Sequence, residues 1–298
     1  MTEKVVVTGG AGFVGSHIVD GLLDEGYDVH VIDNLIAGKE ENINNRAVFH
    51  NSDIRNLSEL ENIFQDAKFV FHLAALPRVQ YSIENPEETM SVNISGTHNV
   101  LIAAQRKNVS KVVFSSSGAV YGNPEILPLK EKMRERPICP YAMHKQVGEI
   151  MCKQWSEVYG LPTVCLRYSN VYGPRIDPDA PYALIVGIFK KQKEQNKPLT
   201  ITGNGKQTRD FVHVRDVVWA NVLAAINENV GSGEVINIGS GKRHSINHLA
   251  KLFGGPIEYI DSRSEARHNL ADISKAKKLL KWKPEISLED GIAEILKY

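Results

Sequence analysis

The sequence predicts an α/β fold in which a doubly wound parallel sheet is followed by a smaller α+β C-terminal lobe. Short apolar runs rich in β-branched residues recur from residue 5 to residue 167, and segments with helical spacing separate them. Beyond about residue 170 this alternation loosens and prolines interrupt the chain. We therefore expect one domain over residues 1–170 and a second over residues 171–298, with some segments of the second returning to the first.

The N-terminal part of the chain carries a nucleotide-binding pattern. Val5–Val7 predicts a buried strand, a glycine-rich turn and an apolar helix face follow, and a second strand ends at Asp33. Gly9, Gly12 and Gly15 would let backbone N–H groups approach a pyrophosphate at the helix N-terminus. A carboxylate at residue 33 can accept hydrogen bonds from a ribose 2′-hydroxyl and would repel a 2′-phosphate. The pattern predicts a Rossmann-type site for NAD rather than NADP.

The elements that follow continue the alternation. Strands are predicted at residues 47–50, 69–75, 112–114, 163–167, 199–201 and 234–238. Helices are predicted at residues 57–64, 87–106, 141–159, 183–194, 213–227, 245–253, 273–280 and 288–296. Parallel strands bring their carboxyl ends to one edge of the sheet. We therefore expect the glycine turn, Asp33, Ala74–Ala75 and Ser115–Ser117 to converge there.

Two polar residues in the first domain have two interpretations each. Asp53 follows the third strand and could bind an adenine amino group or cap the next helix. Asn93 lies within the long helix predicted at 87–106 and could hydrogen-bond a neighbouring loop or the cofactor.

Three side chains suggest acid–base chemistry. Tyr141 and Lys145 are four residues apart on a predicted helix and therefore share a face. A nearby ammonium favours the phenolate and lowers the pKa of the tyrosine, which is otherwise near 10. Ser117, at the end of the fifth strand, offers a hydroxyl that can bond a substrate oxygen as it gains or loses a proton.

With these residues in view, the chain resembles the extended short-chain dehydrogenases/reductases. Among them it is similar to nucleotide-sugar epimerases of the UDP-glucose/UDP-N-acetylglucosamine 4-epimerase type. The segments that carry the resemblance are TGGAGFVGSH (8–17), HLAA (72–75), SSSGAVYG (115–122), PYAMHK (140–145), LRYSNVYGP (166–174), RDFVHVRD (209–216) and ADISKA (271–276). Gly118–Ala119 follow Ser117, where the 4,6-dehydratases carry an acidic pair, so the resemblance favours simple 4-epimerisation.

The resemblance implies reversible epimerisation of a UDP-hexose through a transient 4-keto sugar, with NAD regenerated in each cycle. In that scheme Tyr141 is the base, Ser117 holds the 4-oxygen and Lys145 tunes the tyrosine. The implied cofactor-binding residues are Gly9, Gly12, Phe13, Val14, Gly15, Asp33, Asn34, Asp53, Ile54, Leu73, Ala74, Ala75, Asn93, Ser115, Tyr141 and Lys145. A homodimer formed through the two long helices is also expected.

A second group of residues is expected to bind the sugar nucleotide. Its members are Arg78, Ser82, Ser117, Asn170, Arg209, Arg263, Glu265 and Asn269. Guanidinium groups suit a diphosphate because they donate paired hydrogen bonds. In the family, a bulky residue just before the Ala-Asp of ADISKA restricts the pocket, whereas Asn269 is smaller than tyrosine and can bond an acetamide. We therefore expect both UDP-N-acetylglucosamine and UDP-glucose to be accepted.

Composition narrows the partners. Lys+Arg and Asp+Glu both total 35, which predicts neither a nucleic-acid nor a membrane partner. The absence of a signal-peptide profile, together with three cysteines without paired spacing, predicts free thiols in the cytoplasm; no metal site is predicted. The rival interpretations are a nucleotide-sugar 4-reductase, an epimerase of another nucleotide sugar and a non-catalytic NAD-sensing module.

Overall fold

The computed structural model describes residues 2–178, 184–261 and 268–297. Its strands are β1 (Lys4–Thr8), β2 (Asp28–Asp33), β3 (Val48–Asn51), β4 (Ala67–His72), β5 (Lys111–Ser117), β6 (Thr163–Tyr168), β7 (Asn170–Tyr172), β8 (Leu199–Thr202), β9 (Thr208–Arg209), β10 (Phe211–His213), β11 (Ser232–Ile238), β12 (His244–Ser245) and β13 (Ile257–Ile260). Seven of them form one parallel sheet in the order β11-β6-β5-β4-β1-β2-β3. The predicted α/β class and doubly wound sheet are confirmed.

Helices cover both faces of this sheet. They are α1 (Phe13–Asp24), α2 (Leu57–Ile63), α3 (Val79–Glu84), α4 (Pro86–Met90), α5 (Thr97–Arg106), α6 (Pro140–Tyr159), α7 (Ile185–Glu194), α8 (Val214–Ile226), α9 (Ile246–Phe253), α10 (Ser274–Leu280) and α11 (Leu288–Ile295). Successive residues of β1 alternate between the faces: Val5 and Val7 pack with α1 and α8, whereas Val6 packs with α2, α5 and α6. None of the helices within the described ranges has the length and apolar character that a membrane span requires.

The C-terminal part contributes to two structures. Its strand β11 lies beside β6 and completes the central sheet. Helices α8 and α10 also pack against that sheet, whereas α7, α9 and α11, with β8 and β10, enclose a separate apolar core in which Phe189, Leu199, Phe211 and Leu249 are buried. Three short two-stranded sheets join pieces that are distant in sequence: β7 with β10, β8 with β13, and β9 with β12. These pairings were not predicted, and the domain boundary at residue 170 stays a prediction.

The helix predicted for residues 87–106 is not uniform. α4 and α5 are joined by a π-helical segment, Ser91–Gly96. The wider turn carries Asn93, which is buried, and Gly96. A Cβ atom on Gly96 would lie 2.4 Å from the Cδ1 atom of Ile54, so the glycine allows the helix to pack closely against that side chain.

Candidate active site

Two glycines of the first turn allow close backbone contacts. Gly9 has a φ of +75°, and a Cβ atom there would lie 2.6 Å from the backbone N atom of Ala74, just beyond β4. A Cβ atom on Gly15 would lie 2.0 Å from the carbonyl oxygen of Gly9. Helix α1 therefore starts directly against the ends of β1 and β4.

The N-terminus of α1 is suited to an anion. Gly12 precedes the helix in an extended conformation, and no side chain among the described residues caps it. The first turn, which begins with Phe13 and Val14, also contains no acidic residue. Its N–H groups and the positive end of the helix dipole together favour a phosphate group.

Asp33 lies at the end of β2 beside this turn. Its Oδ2 atom accepts a hydrogen bond from the N–H of Ala11 at 3.0 Å, and its Oδ1 atom accepts one from Leu35 at 2.9 Å. Burial raises the pKa of the Asp33 carboxyl, whereas these two hydrogen bonds lower it. Each oxygen keeps a further lone pair, so the carboxylate can accept hydrogen bonds from ribose hydroxyls.

Asp53 does not cap the helix that follows it. The N-cap of α2 is Asn56, whose side chain accepts a hydrogen bond from Glu59. Asp53 instead forms an ion pair with Arg55, with N and O 2.6 Å apart, and accepts a hydrogen bond from Asn34 Nδ2 at 2.8 Å. The hydrogen bond from Arg55 lowers the pKa of Asp53, so the residue is an anion at neutral pH. Of its two interpretations, the helix cap is wrong.

Asn93 holds a neighbouring loop. Its Oδ1 atom accepts a hydrogen bond from the N–H of Leu76 at 2.8 Å, and its Nδ2 atom donates to the carbonyl of the same residue at 3.1 Å. These bonds fix the segment that follows Leu73, Ala74 and Ala75, all three of which are half-buried at the carboxyl end of β4. The same amide nitrogen also lies 3.3 Å from Nδ1 of His144 in α6, so Asn93 links the loop to that helix.

Tyr141 and Ser117 meet at the carboxyl end of β5. Tyr141 lies in the first turn of α6, and the side chain of Ser117 lies near its phenol. Burial raises the pKa of the phenol, whereas the interaction with the Ser117 side chain and the positive charge of Arg78 lower it. Burial also lowers the pKa of Arg78, while Asp177 and Tyr141 raise it. A cation is therefore already placed near the phenol by the loop before α3.

Lys145 lies one turn further along α6 and is buried. Its Nζ atom donates to the carbonyl oxygen of Ser115 at 2.7 Å and lies 4.9 Å from the centre of the Phe114 ring. Burial lowers the pKa of Lys145 to about 8. The pKa of the phenol in this structure responds to Arg78, so the tuning of Tyr141 by Lys145 stays a prediction.

A buried ion pair fixes α6 against the sheet. Glu149 follows Lys145 by four residues and therefore continues the same helix face. Its carboxylate accepts hydrogen bonds from the guanidinium of Arg167 in β6 at 2.8 and 2.6 Å, and from the hydroxyl of Ser116 in β5. Sequence reasoning missed this pair, although the spacing 141, 145, 149 already indicates it.

Ser82 takes part in the fold itself. The side chain is buried, and its hydroxyl donates to the carbonyl of Val79 at 2.6 Å and accepts from the N–H of Tyr141 at 3.1 Å. It thereby joins α3 to the start of α6. Its expected contact with substrate stays a prediction.

Two residues of the expected substrate group share a cavity. Asn170 and Arg209 line a space of about 250 Å³ in the C-terminal part of the chain, together with apolar side chains that include Leu184, Val186 and Phe211. Asn170 Nδ2 donates to the carbonyl of Asp210 at 3.1 Å, and Arg209 donates to the carbonyl of Thr208 at 3.0 Å. A planar apolar group and a charged group could bind there side by side. Arg263 and Glu265 lie outside the described residues.

Asn269 lies close to the catalytic strand end. A Cβ atom on Gly118 would be 3.9 Å from Asn269 Nδ2, and Gly118 directly follows Ser117. The N–H of Asn269 donates to the carbonyl of Thr208 at 3.1 Å. Its Oδ1 atom is buried and accepts no hydrogen bond from any described residue. A buried acceptor without a partner is costly.

The first domain fits a dinucleotide. The glycine contacts bring backbone close to the α1 N-terminus, and Asp33 presents acceptors at the adjacent strand end. Ala74 and Ala75, which are small and half-buried, follow β4 at the same edge of the sheet. These features match the donor and acceptor needs of NAD: anion contacts for the pyrophosphate and a carboxylate for a ribose diol.

The model of the NAD dependent epimerase/dehydratase family matches residues 5–239. Two solved structures are 39% identical to this chain and cover 99% of it. One is the UDP-glucose 4-epimerase of Thermotoga maritima with UDP-glucose, with a TM-score of 0.94 and 98% of its own chain covered. The other is the UDP-N-acetylglucosamine 4-epimerase of Methanobrevibacter ruminantium in complex with UDP-N-acetylmuramic acid, with a TM-score of 0.95 and 97% covered.

A third solved structure shows a similar fold with a cofactor. The UDP-glucose 4-epimerase of Thermus thermophilus, in complex with NAD, is 33% identical to this chain. The two superimpose with a TM-score of 0.91, and the similarity covers 99% of this chain and 98% of the other.

Proposed function

The chain belongs to the NAD-dependent epimerase/dehydratase family, and within that family we propose that it is a 4-epimerase of UDP-hexoses. Its cofactor is NAD. The observation that carries the proposal is the proximity of the Tyr141 phenol to the Ser117 side chain at the carboxyl end of the sheet. Gly118, which follows Ser117, lies close to Asn269, which borders the proposed substrate side.

The proton at the sugar 4-oxygen is handled by two side chains. Bound NAD supplies the hydride acceptor for C4 and later the hydride donor. The Tyr141 phenolate takes the proton of the 4-hydroxyl and returns it when the sugar is reduced on its other face. Ser117 donates a hydrogen bond to the 4-oxygen while the transient 4-keto sugar exists. Arg78 favours the phenolate by its charge.

The second half of the reaction requires the keto sugar to turn while the nucleotide stays bound. Asn170 and Arg209 support this step because both side chains line the same cavity. They lie on two different short strands, β7 and β9, and neither belongs to the helix that carries Tyr141. An amide and a guanidinium that hold the diphosphate would leave the hexose tethered at one end only. The ring can then present either face of C4 without leaving the protein.

The buried Oδ1 atom of Asn269 supports a substrate that carries a hydrogen-bond donor at the 2-position. The acetamide N–H of UDP-N-acetylglucosamine and the 2-hydroxyl of UDP-glucose are both such donors. We therefore propose that the protein accepts both sugars. The solved relatives from Methanobrevibacter ruminantium and Thermotoga maritima represent these two specificities.

A homodimer is part of the same proposal. The outer face of α6 exposes Ile150 and Val158 by 58% and 62%, and α4 exposes Met90 by 53%. Apolar side chains at this exposure on neighbouring helices favour a two-fold helix–helix contact. Sedimentation equilibrium should give a mass of twice 33.1 kDa. An Ile150→Glu variant should sediment as a monomer.

Proton NMR of the purified protein tests the proposed reaction. UDP-glucose and UDP-N-acetylglucosamine are incubated separately, without added cofactor or reductant. We expect new anomeric signals of UDP-galactose and UDP-N-acetylgalactosamine that approach equilibrium. If product formed only with added NADH and in proportion to it, the protein would be a reductase and not an epimerase.

A further inference from the structure

Three side chains at the edge of the C-terminal part form a cluster that the proposed reaction does not use. His244 lies in β12, His248 in the first turn of α9, and Glu289 in the first turn of α11. The two imidazole rings are stacked with their centres 5.2 Å apart, and His248 Nε2 lies 3.1 Å from Glu289 Oε1. One ligand atom from each residue lies within 4.8 Å of the other two.

This set of donors matches a transition metal. Two imidazoles and one carboxylate, with water in the fourth position, are ligands that Zn²⁺ accepts in tetrahedral geometry. With metal–ligand bonds of about 2.0–2.1 Å, neighbouring ligand atoms of a tetrahedron lie about 3.4 Å apart. The distance between His248 and Glu289 is already close to this value. We propose that His244, His248 and Glu289 bind one zinc ion.

The side chains can close around an ion at small cost. His248 and Glu289 are 39% and 52% exposed, so their rotamers can adjust without disturbing the core. An ion pair between His248 and Glu289 alone does not explain why the His244 ring stacks on the His248 ring.

The cluster also lies next to the strand that carries a proposed substrate residue. In the antiparallel pair of β12 and β9, His244 is opposite Arg209. A bound ion would tie β12 to α9 and α11 and so hold the position of β9. Resting on the proposed function, this predicts that zinc lowers the KM for the UDP-sugar while kcat stays nearly constant.

The test uses the full-length, NAD-loaded protein without an affinity tag, stripped of metal and titrated with zinc chloride against a chromophoric chelator. We expect saturable binding of one zinc ion per chain and a higher Tm with zinc. His248→Ala and Glu289→Gln should each abolish both effects. His98→Ala should leave them unchanged, since His98 is an exposed histidine packed on Trp155 elsewhere in the fold.

Zinc binding is measured without any sugar, so its failure is separate from a failure of the proposed epimerisation. If wild-type protein bound no zinc above the chelator, the proposal would be wrong. It would be equally wrong if both the His248→Ala and the Glu289→Gln variants, with unchanged circular dichroism, bound zinc as tightly as the wild type. A zinc effect on Tm that the His98→Ala variant lost would also overturn the assignment.

Discussion

The proposed cofactor side and the proposed substrate side of the site are built in different ways. On the cofactor side, one continuous segment supplies the glycine turn, the start of α1 and the carboxylate at the end of β2. On the substrate side, Asn170, Arg209 and Asn269 come from three short segments far apart in the chain. Backbone shape determines the first site, whereas individual side chains determine the second.

The two sides also differ in whether their buried polar groups have hydrogen-bond partners among the described residues. Asn93 and Asp33 find their partners within the protein, through backbone groups a short distance away. Asn269 leaves a buried Oδ1 atom without a described partner. In the proposed reaction NAD stays bound through every cycle, whereas the size of residue 269 limits which sugar substituent fits. Changes on the first side should therefore reduce all activity, and changes on the second should alter its selectivity.

The largest effect is expected where the two sides meet, at Tyr141. Tyr141→Phe removes the hydroxyl that carries the proton but keeps the ring in place. General acid–base groups contribute about 10²–10⁴-fold, so kcat should fall by about 10³-fold with little change in bound NAD. Tyr159→Phe is the control, because Tyr159 lies at the far end of the same helix and is 55% exposed. Retention of more than about a tenth of the activity would contradict the assignment of the base.

The next largest effect is expected on the cofactor side alone. In Gly15→Ala the new methyl group would lie 2.0 Å from the carbonyl of Gly9 and push α1 away from the turn. Such overpacking typically costs about 1–3 kcal/mol, so NAD should bind up to about 100-fold more weakly. Gly187→Ala is the matched control, because its nearest contact would be an ordinary 3.4 Å. A Gly15→Ala protein that kept its NAD through purification would contradict the proposed dependence of NAD binding on the glycine turn.

The pH dependence of stability tests the buried polar groups of the proposed cofactor side, whose hydrogen-bond partners lie within the protein. His72 lies between Thr8 and Thr97, and its ring nitrogens are 2.7 and 2.9 Å from their hydroxyls. Burial lowers the pKa of His72 to about 3, below the value of about 6.5 in the unfolded chain. The unfolded state therefore binds the extra proton between these values, and stability falls as the pH falls through this window.

This linkage can be measured by urea unfolding with saturating NAD. Between pH 7 and pH 5, His72 should account for a loss of about 2 kcal/mol in the free energy of unfolding. His72→Gln should be less stable at pH 7 and should lose less on acidification than the wild type. His98→Ala should show the wild-type slope, since His98 is exposed. An identical slope in the His72→Gln variant would contradict the role of that ring.

The smallest effect is expected on the substrate side, and it should concern selectivity. Asn269→Tyr fills the space beside Gly118. It also removes the Asn269 Oδ1 atom, which has no hydrogen-bond partner among the described residues. The ratio of kcat/KM for UDP-N-acetylglucosamine to that for UDP-glucose should fall by about tenfold, since a few extra atoms in a pocket typically change discrimination by about 1–3 kcal/mol. Asn269→Ser keeps the space open and should retain turnover of the N-acetylated sugar. An unchanged ratio in the Asn269→Tyr variant would contradict the proposed role of residue 269 in selecting the sugar.

The sequence predicted the local structure of the proposed cofactor side because its signals are local, whereas the cofactor-binding role of these residues stays a prediction. The apolar run at Val5–Val7, the glycine spacing and the carboxylate at residue 33 lie within thirty residues, and each has a direct backbone consequence. The spacing of Tyr141 and Lys145 likewise defines one face of α6. The π-helical segment at Ser91–Gly96 was missed because its residues keep an ordinary helical pattern, and only the tertiary contact of Gly96 with Ile54 accounts for it.

The substrate side was harder because its contacts join distant segments. The residues around Thr208 and those around His244 contain no sequence pattern that predicts the pairing of β9 with β12. The contact between Asn269 and Gly118 joins residues about 150 positions apart in the chain. The cluster of His244, His248 and Glu289 was overlooked for the same reason, since two histidines four residues apart acquire a carboxylate only when α11 folds beside α9.

The most direct test of the central claim follows the hydrogen at C4. UDP-glucose with deuterium at C4 is incubated with the protein in ordinary water, without added cofactor, and the product is examined by NMR and mass spectrometry. Transfer of the hydride to the resident NAD and back predicts that UDP-galactose retains the deuterium at C4. Replacement of that deuterium by solvent hydrogen would mean that C4–H leaves as a proton, and it would contradict the 4-keto mechanism.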